Sequence, residues 1–296
     1  MPSHPINTAE YSLRNSSTPC VAAPAARDIP GRLRAPTRTA LSFRRMTSLR
    51  LDPDRWFLRA GRRSNPRLTV LAVPWAGSGT AAYHGLADLL PADVDLWMLR
   101  LPGREVRRQE PLVTTMSELA GPAAAACAQA LTGDFVLFGH SSGALTAFEV
   151  ARRLRREHGR LPTLLAVSAQ PAPHLPPRYA PIHDLPVERF LNALDERCHS
   201  VPAALRDDAE MQEVYVPAMR ADVTVEETYE YLPETPLECP VSAFGGESDT
   251  ECRITDLEAW QVHTSGKFTL NVLPGDHFFF QTSRESVVKL LVEQAR

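Results

Sequence analysis

The chain has 296 residues, is 44% hydrophobic and 23% charged, and carries a formal net charge of -3. This balance fits one large globular domain, or at most two small ones, and gives no overall basic surface for nucleic acid. No apolar run approaches the ~18 residues of a membrane span, so no stable membrane association is expected, and the five scattered cysteines, without Cys-x-x-Cys spacing, read as reduced thiols of a cytoplasmic protein with no zinc site.

Residues 1–50 stand apart from the rest. They contain eight arginines against two acids, Glu10 and Asp28, are rich in Pro, Ser, Thr and Ala, and show no sustained periodicity. The segment is expected to be a disordered leader, or the product of a start codon upstream of a true start at Met46; an Arg-rich transit peptide is the alternative. No catalytic chemistry is expected in it.

Across residues 51–296 short β-branched or apolar runs alternate with longer amphipathic stretches, as in a single domain. Strands are expected at Leu68–Val73, Val94–Leu99, Phe135–Phe138, Thr163–Val167, Val241–Phe244 and Phe268–Leu273. Helices are expected at about Ala81–Leu90, Thr115–Leu131, Ser142–His158, Thr255–His263 and Ser283–Gln294. The alternation predicts an α/β fold, with a mostly parallel sheet covered by helices on both faces. Between Val167 and Val241 no good strand occurs. Pro171, Pro173, Pro176, Pro177, Pro181 and Pro186 open that stretch as an extended linker, and helical patterns follow at Val187–Arg197 and Asp207–Asp222. The insertion, about 171–232, is expected to form a helical lid above the carboxyl ends of the strands, with Phe190, Leu194, Val214 and Met219 facing inward.

The pentapeptide Gly139-His140-Ser141-Ser142-Gly143 lies between the apolar run Phe135–Phe138 and the helical pattern that follows. A Gly-x-Ser-x-Gly sequence at a strand-to-helix turn is the nucleophile elbow of α/β-hydrolases, which makes Ser141 the expected nucleophile and the Ser142 N–H an expected oxyanion donor. The base and acid should follow in chain order on loops after late strands. His277 follows the last strand, and Asp249 follows the Gly245-Gly246 turn of the one before it. His277 would take the Ser141 proton while Asp249 fixes its tautomer. Glu247 is the alternative acid, Asp276 a loop hydrogen-bonder, His263 a partner of its helix dipole, and His140 a packing residue. His174 and His183 fall in the lid linker. The second oxyanion donor is expected in the loop Pro74-Trp75-Ala76-Gly77-Ser78-Gly79, from the Ala76 N–H. Phe278, beside His277, is an expected substrate-binding residue. No phosphate-binding Gly-x-x-x-x-Gly-Lys-Ser/Thr is present, so no nucleotide cofactor is expected.

A wider set of motifs resembles the type II thioesterases of polyketide and nonribosomal peptide pathways. It comprises Pro74–Gly79, Leu101–Arg104, Phe138–Ala144, Ala172–His174, Pro181–Pro186, Arg220–Asp222, Glu227–Tyr229 and Gly275–Phe279, in matching order and spacing from about Leu51 to the C-terminus. The resemblance implies an α/β-hydrolase fold with a helical lid, and a Ser141–His277–Asp249 triad with oxyanion donors Ala76 and Ser142. It also implies hydrolysis of acyl groups from the phosphopantetheine arm of an acyl or peptidyl carrier protein, either editing stalled or misprimed synthases or releasing product. Neither metal nor cofactor is implied, and a monomer is expected. Departures from the family pattern fall at Trp75, where His is usual, at Ser142, where an apolar residue is usual, and at Thr250, where Pro is usual; Trp75 is expected to place an indole at the pocket mouth. A lipase- or esterase-like hydrolase of oxygen esters uses the same triad and is the alternative, and a non-catalytic binding protein on this fold is the remaining class.

Overall fold

Period-two alternation sorts the side chains of a strand onto two faces, and the core follows that rule. The computed structural model describes residues 52–61, 63–199 and 201–296, so the leader expected over residues 1–50 lies outside the described residues. Its strands are β1 (Phe57–Ala60), β2 (Leu68–Val73), β3 (Val94–Leu99), β4 (Phe135–His140), β5 (Leu164–Ser168), β6 (Val241–Gly246) and β7 (Phe268–Leu273). The helices are α1 (Pro53–Trp56), α2 (Leu86–Leu89), α3 (Met116–Ala130), α4 (Ser142–His158), α5 (Val187–Cys198), α6 (Ala203–Asp207), α7 (Ala209–Glu227), α8 (Ile254–Glu258), α9 (Phe279–Thr282) and α10 (Arg284–Gln294). Short 3-10 turns lie at Thr80–Tyr83, Glu105–Arg107 and Ala259–His263.

The sheet order is β1-β3-β2-β4-β5-β6-β7, with β1 antiparallel to β3 and every other pair parallel. Leu71, Val73, Leu137 and Val167 point to the face covered by α3 and α4. Their alternates Val70, Ala72, Val136, Phe138 and Ala166 point to the face covered by α2 and α10. Both faces of the central strands are therefore dry, which explains their nearly continuous apolar sequences. Parallel pairing brings the ends of β4, β6 and β7, and the loops after them, to one edge of the sheet.

Several expected elements differ in detail. The edge strand β1 was not anticipated, since four residues with Arg59 among them carry little alternation; the Arg59 guanidinium lies 4.1 Å from the centroid of the Trp97 ring it covers. The helix expected over Ala81–Leu90 is broken by Gly85, whose φ of 76° leaves the helical region and separates the 3-10 turn from α2. The stretch Thr255–His263 starts as α8 and tightens to a 3-10 turn, a frequent way for a helix to end.

The insertion after β5 folds as α5, α6 and α7 around a small core of its own, formed by Ile182, Phe190, Leu191, Val201, Leu205, Val216 and Val223. Helix α7 runs five residues beyond its expected end at Asp222. Its start is capped by Asp208, whose carboxylate accepts the N–H groups of Glu210 and Met211 at 2.9 and 3.1 Å. Val216, Met219 and Val223 recur three, four and seven apart and so share one helix face. Val214 falls off that face and is 69% exposed, which corrects its expected inward position. Among the described residues no helix is long and apolar enough to cross a membrane.

Candidate active site

Ser141 sits between the end of β4 and the start of α4 with φ 52° and ψ −134°, a conformation costly for a residue with a Cβ. The surroundings over-determine it. Its N–H donates to the Ser168 carbonyl at 2.7 Å, and its own carbonyl accepts the Ala144 N–H at 2.7 Å. The flanking glycines are sterically required: a Cβ on Gly139 would lie 2.1 Å from the Gly143 carbonyl oxygen, and one on Gly143 2.4 Å from that of Val73. Sharp turning and close packing together lift the hydroxyl clear of the sheet.

His277 lies on the loop after β7 and is 7% exposed. Its Nε2 is 3.2 Å from Ser141 Oγ, and its Nδ1 is 3.1 and 3.3 Å from the two carboxylate oxygens of Asp249. The Asp249 side chain is fully buried, and Oδ1 also accepts the N–H groups of Glu251 and Cys252 at 2.8 and 3.1 Å. Buried and held by two backbone donors, such a carboxylate is a rigid acceptor for the imidazole N–H. Gly246 lets the two loops meet, since a Cβ there would lie 2.3 Å from the Asp276 carbonyl oxygen. Glu247 is exposed, and Asp276 accepts the Phe278 N–H at 2.9 Å. Burial pushes the thiols of Cys127 and Cys239 up to about 12, so neither supplies a thiolate.

The loop after β2 forms a four-residue turn in which Ser78 N–H and Oγ donate to the Trp75 carbonyl at 3.0 and 2.7 Å. Gly77 occupies its third position at φ 73°, where a type II turn requires a positive φ. Among the described residues neither the Ala76 nor the Ser142 N–H donates to a protein acceptor. Ser142 is also the first residue of α4, where unpaired N–H groups and the helix dipole favour negative charge.

Ser141 and His277 open onto a cavity of about 620 Å³ that the sheet edge and the lid line together. Trp75, Ala76, Leu194, Met219 and Phe278 contribute to its wall. The Trp75 indole packs edge-on against Phe278 and His140, at 5.8 and 5.4 Å between ring centroids. Phe190 is placed differently from the expectation: it is fully buried in the lid core under the Arg220 guanidinium, so it shapes the lid and not the cavity wall. Glu226, on the last turn of α7, escaped the sequence analysis. It lines the cavity and accepts the Gln170 amide at 3.1 Å; burial pushes its carboxyl up, against the opposing pull of that hydrogen bond and of His277. Its spacing of three and seven from Val223 and Met219 was the available signal.

The Pro181–Pro186 and Glu227–Tyr229 motifs anchor the lid. Glu227 accepts the backbone N–H groups of Ile182 and His183 and pairs with the His183 ring at 2.8 Å. Tyr229 reaches Glu149 of α4 at 2.7 Å. Among the described residues no group of His, Cys, Asp and Glu is arranged to hold a metal ion.

His140 and His263 are buried outside the hydrogen-bonded line of Ser141, His277 and Asp249. His140 bonds Ser168 Oγ at 2.9 Å, and burial drives its imidazole well below the usual range. His263, expected as a partner of its helix dipole, is 3% exposed, lies 2.8 Å from His174 and is pushed down to about 4 by burial, which disfavours the charged form that role needs. Both rings stay neutral in the fold at pH values where the unfolded chain protonates them. The His263 contribution to stability is therefore complete above the ordinary value of 6.5 and is lost as pH falls toward about 4, and the His140 contribution is lost in the same direction. Melting temperature should drop through that window, and His263→Gln should drop less than the wild type. Equal losses would remove His263 from this account.

The thioesterase-domain family model matches residues 68–294. The chain is similar to the gramicidin S biosynthesis protein GrsT of Aneurinibacillus migulanus, 33% identical over 243 residues, which are 82% of this chain and 94% of that protein. It is also similar to the thioesterase PikA5 of Streptomyces venezuelae, 34% identical over 232 residues, 78% of this chain and 82% of that one. Among solved structures, the RedJ thioesterase of the prodiginine pathway in Streptomyces coelicolor superposes with a TM-score of 0.72 at 33% identity, covering 82% of this chain and 87% of the other. BorB, the type II thioesterase of the borrelidin cluster, does so at 0.72 and 31%, covering 82% and 98%.

Proposed function

The chain belongs to the thioesterase family and has the α/β-hydrolase fold, and from that premise we propose that it hydrolyses acyl thioesters on the phosphopantetheine arm of acyl or peptidyl carrier proteins. Its role would be to clear stalled or misprimed acyl groups from a polyketide or nonribosomal peptide synthase, or to release product. The observation that carries this reading is the unbroken hydrogen-bonded line Asp249–His277–Ser141 at the floor of a lidded, largely apolar cavity.

In the proposed mechanism His277 Nε2 takes the Ser141 proton as Oγ attacks the thioester carbonyl. Asp249 holds the other ring N–H and stabilises the imidazolium. The Ala76 and Ser142 N–H groups, which meet no protein acceptor among the described residues, receive the oxyanion. The imidazolium then protonates the departing thiolate, and a water deprotonated by the same ring releases the acid from acyl-Ser141. A buried pocket floor shields each charged state from bulk water and strengthens these contacts. The carrier protein supplies the prosthetic arm.

Steady-state kcat/KM on carrier-protein thioesters against simple oxygen esters tests the substrate class. A clear preference for the thioesters is expected; the opposite preference would make this a lipase- or esterase-like enzyme. Leu194 offers a separate check on the chamber. Each buried methylene contributes about 0.8 kcal/mol, roughly fourfold, so Leu194→Ala should move the preferred acyl length upward by one or two carbons. Melting temperature should change little, because Leu194 is only partly buried and packs on the edge of the small lid core, apart from the two cores of the sheet. An unchanged length profile would take the lid out of acyl selection.

A further inference from the structure

The motifs Leu101–Arg104 and Arg220–Asp222 take no part in the reaction above, yet they meet at the loop that carries Ala76. Resting on that mechanism, we propose that Asp222 of the lid helix α7 is the positioning residue of the oxyanion loop, so that the oxyanion hole is complete only when α7 is docked.

Asp222 Oδ2 accepts the Gly77 N–H at 2.8 Å. Arg104 grips the same carboxylate with both terminal nitrogens, at 2.6 and 2.7 Å, and donates to the Ser78 carbonyl at 2.8 Å. Each side chain of this pair is only 12% exposed. A two-pronged, largely desolvated pair of this kind fixes direction as well as distance. Next along the chain, Glu105 Oε1 accepts the Thr80 N–H and hydroxyl at 2.7 and 2.8 Å.

The consequence lies in which peptide Asp222 holds. In a four-residue turn, type I and type II differ by the orientation of the central peptide, here Ala76–Gly77. The Gly77 N–H belongs to that peptide. By accepting it, Asp222 holds that peptide in one orientation, with the Ala76 carbonyl on its opposite side, and so pins the turn one residue from the Ala76 N–H, which the preceding Trp75–Ala76 peptide carries. Met219, one helical turn before Asp222, presses the same glycine: a Cβ on Gly77 would lie 2.8 Å from the Met219 methyl. Both contacts come from α7, so undocking the helix removes them together and leaves Arg104 without its carboxylate. The ionic contacts bridge residues 118 apart in sequence, with the lid at one end and the sheet top at the other.

The test uses the full chain with Asp222→Ala, which loses both contacts, and Asp222→Asn, which keeps an acceptor for Gly77 but gives up the charge. Ser141 is titrated with a fluorophosphonate so that turnover is expressed per competent site. Loss of one oxyanion donor typically lowers kcat by about 100-fold or more. The Ala variant should show that loss with KM nearly unmoved, and the inhibition constant of a boronate transition-state analogue should weaken in proportion; the Asn variant should fall between it and the wild type. Hydrogen exchange of α7 and of residues 75–79 should rise together in the Ala variant. A purely structural role would lower the titre of sites at unchanged kcat per site, and that result overturns the proposal. So does a fall in kcat with the boronate constant unchanged, an Asn variant as impaired as the Ala variant, or exchange that rises in the loop alone. Should Asp222→Ala fail to fold, the Asn variant with the boronate carries the decision. A wild type that the fluorophosphonate does not label would instead defeat the serine mechanism itself.

Discussion

Replacing Ser141 with Ala is expected to abolish acyl-enzyme formation and lower turnover by roughly 10⁴-fold or more, with the fold intact. The reason is local. Ser141 Oγ is the hydroxyl within reach of His277 Nε2, at 3.2 Å, and an alanine leaves the ring with no nucleophile to deprotonate. Ser142→Ala provides the control. Its proposed contribution is a backbone N–H, which alanine keeps, so turnover should stay near the wild-type value. Single-turnover assays on a carrier-protein thioester, alongside thermal melts, read both effects. A dead Ser142→Ala with an active Ser141→Ala would shift the elbow by one residue and undo the mechanism.

Asp249→Asn is the second large effect. The amide is nearly isosteric and preserves the loop, but it can present an N–H to His277 Nδ1 and favour the wrong tautomer. Such a change costs about 10⁴-fold in kcat, or ~5.4 kcal/mol of transition-state stabilisation. Binding of carrier protein should persist, because Asp249 is buried below the cavity floor. Glu247→Gln should change little, since that side chain is exposed. If the two variants exchanged these outcomes, the acid would be Glu247.

Where chemistry and local structure coincide, the sequence is highly legible. Gly139 and Gly143 are there because a Cβ at either would collide with backbone, so the elbow leaves an unmistakable spacing in the chain. The central strands are dry on both faces, and their apolar runs mark β2 and β3 to the residue, while β4 and β6 each run two residues beyond their expected ends, into His140 and Gly246. Ser142–His158 reads as a helix from end to end because its amphipathic pattern closes on Gly159, whose φ of 61° ends it.

Less legible features depend on distant partners. β1 is four residues at an edge, and its pairing with β3 and the stacking of Arg59 on Trp97 cross nearly forty positions of intervening sequence, roughly the span from one to the other. Gly85 looks like a tolerable helix glycine until its positive φ is seen. Within the lid, composition marked Phe190 and Val214 as equal candidates for the chamber. Packing separates them, one into the lid core and the other to solvent. His263 reads as a terminal helix charge, yet Trp260, Phe148 and His174 close around it and keep it neutral. Arg104 and Asp222 were visible as motif residues, but nothing in either motif says that they meet over Gly77.

The central claim is that acyl groups pass from a carrier-protein thioester to Ser141 on their way to water. Rapid quench of the wild-type enzyme with an acyl carrier protein thioester, followed by peptide mapping of the intact acyl adduct by mass spectrometry, tests it directly. The account predicts an acyl mass on the peptide containing Ser141, formed in a burst before steady-state release and missing in Ser141→Ala. Steady turnover with the acyl group found on another residue, or turnover that survives in Ser141→Ala, would contradict it.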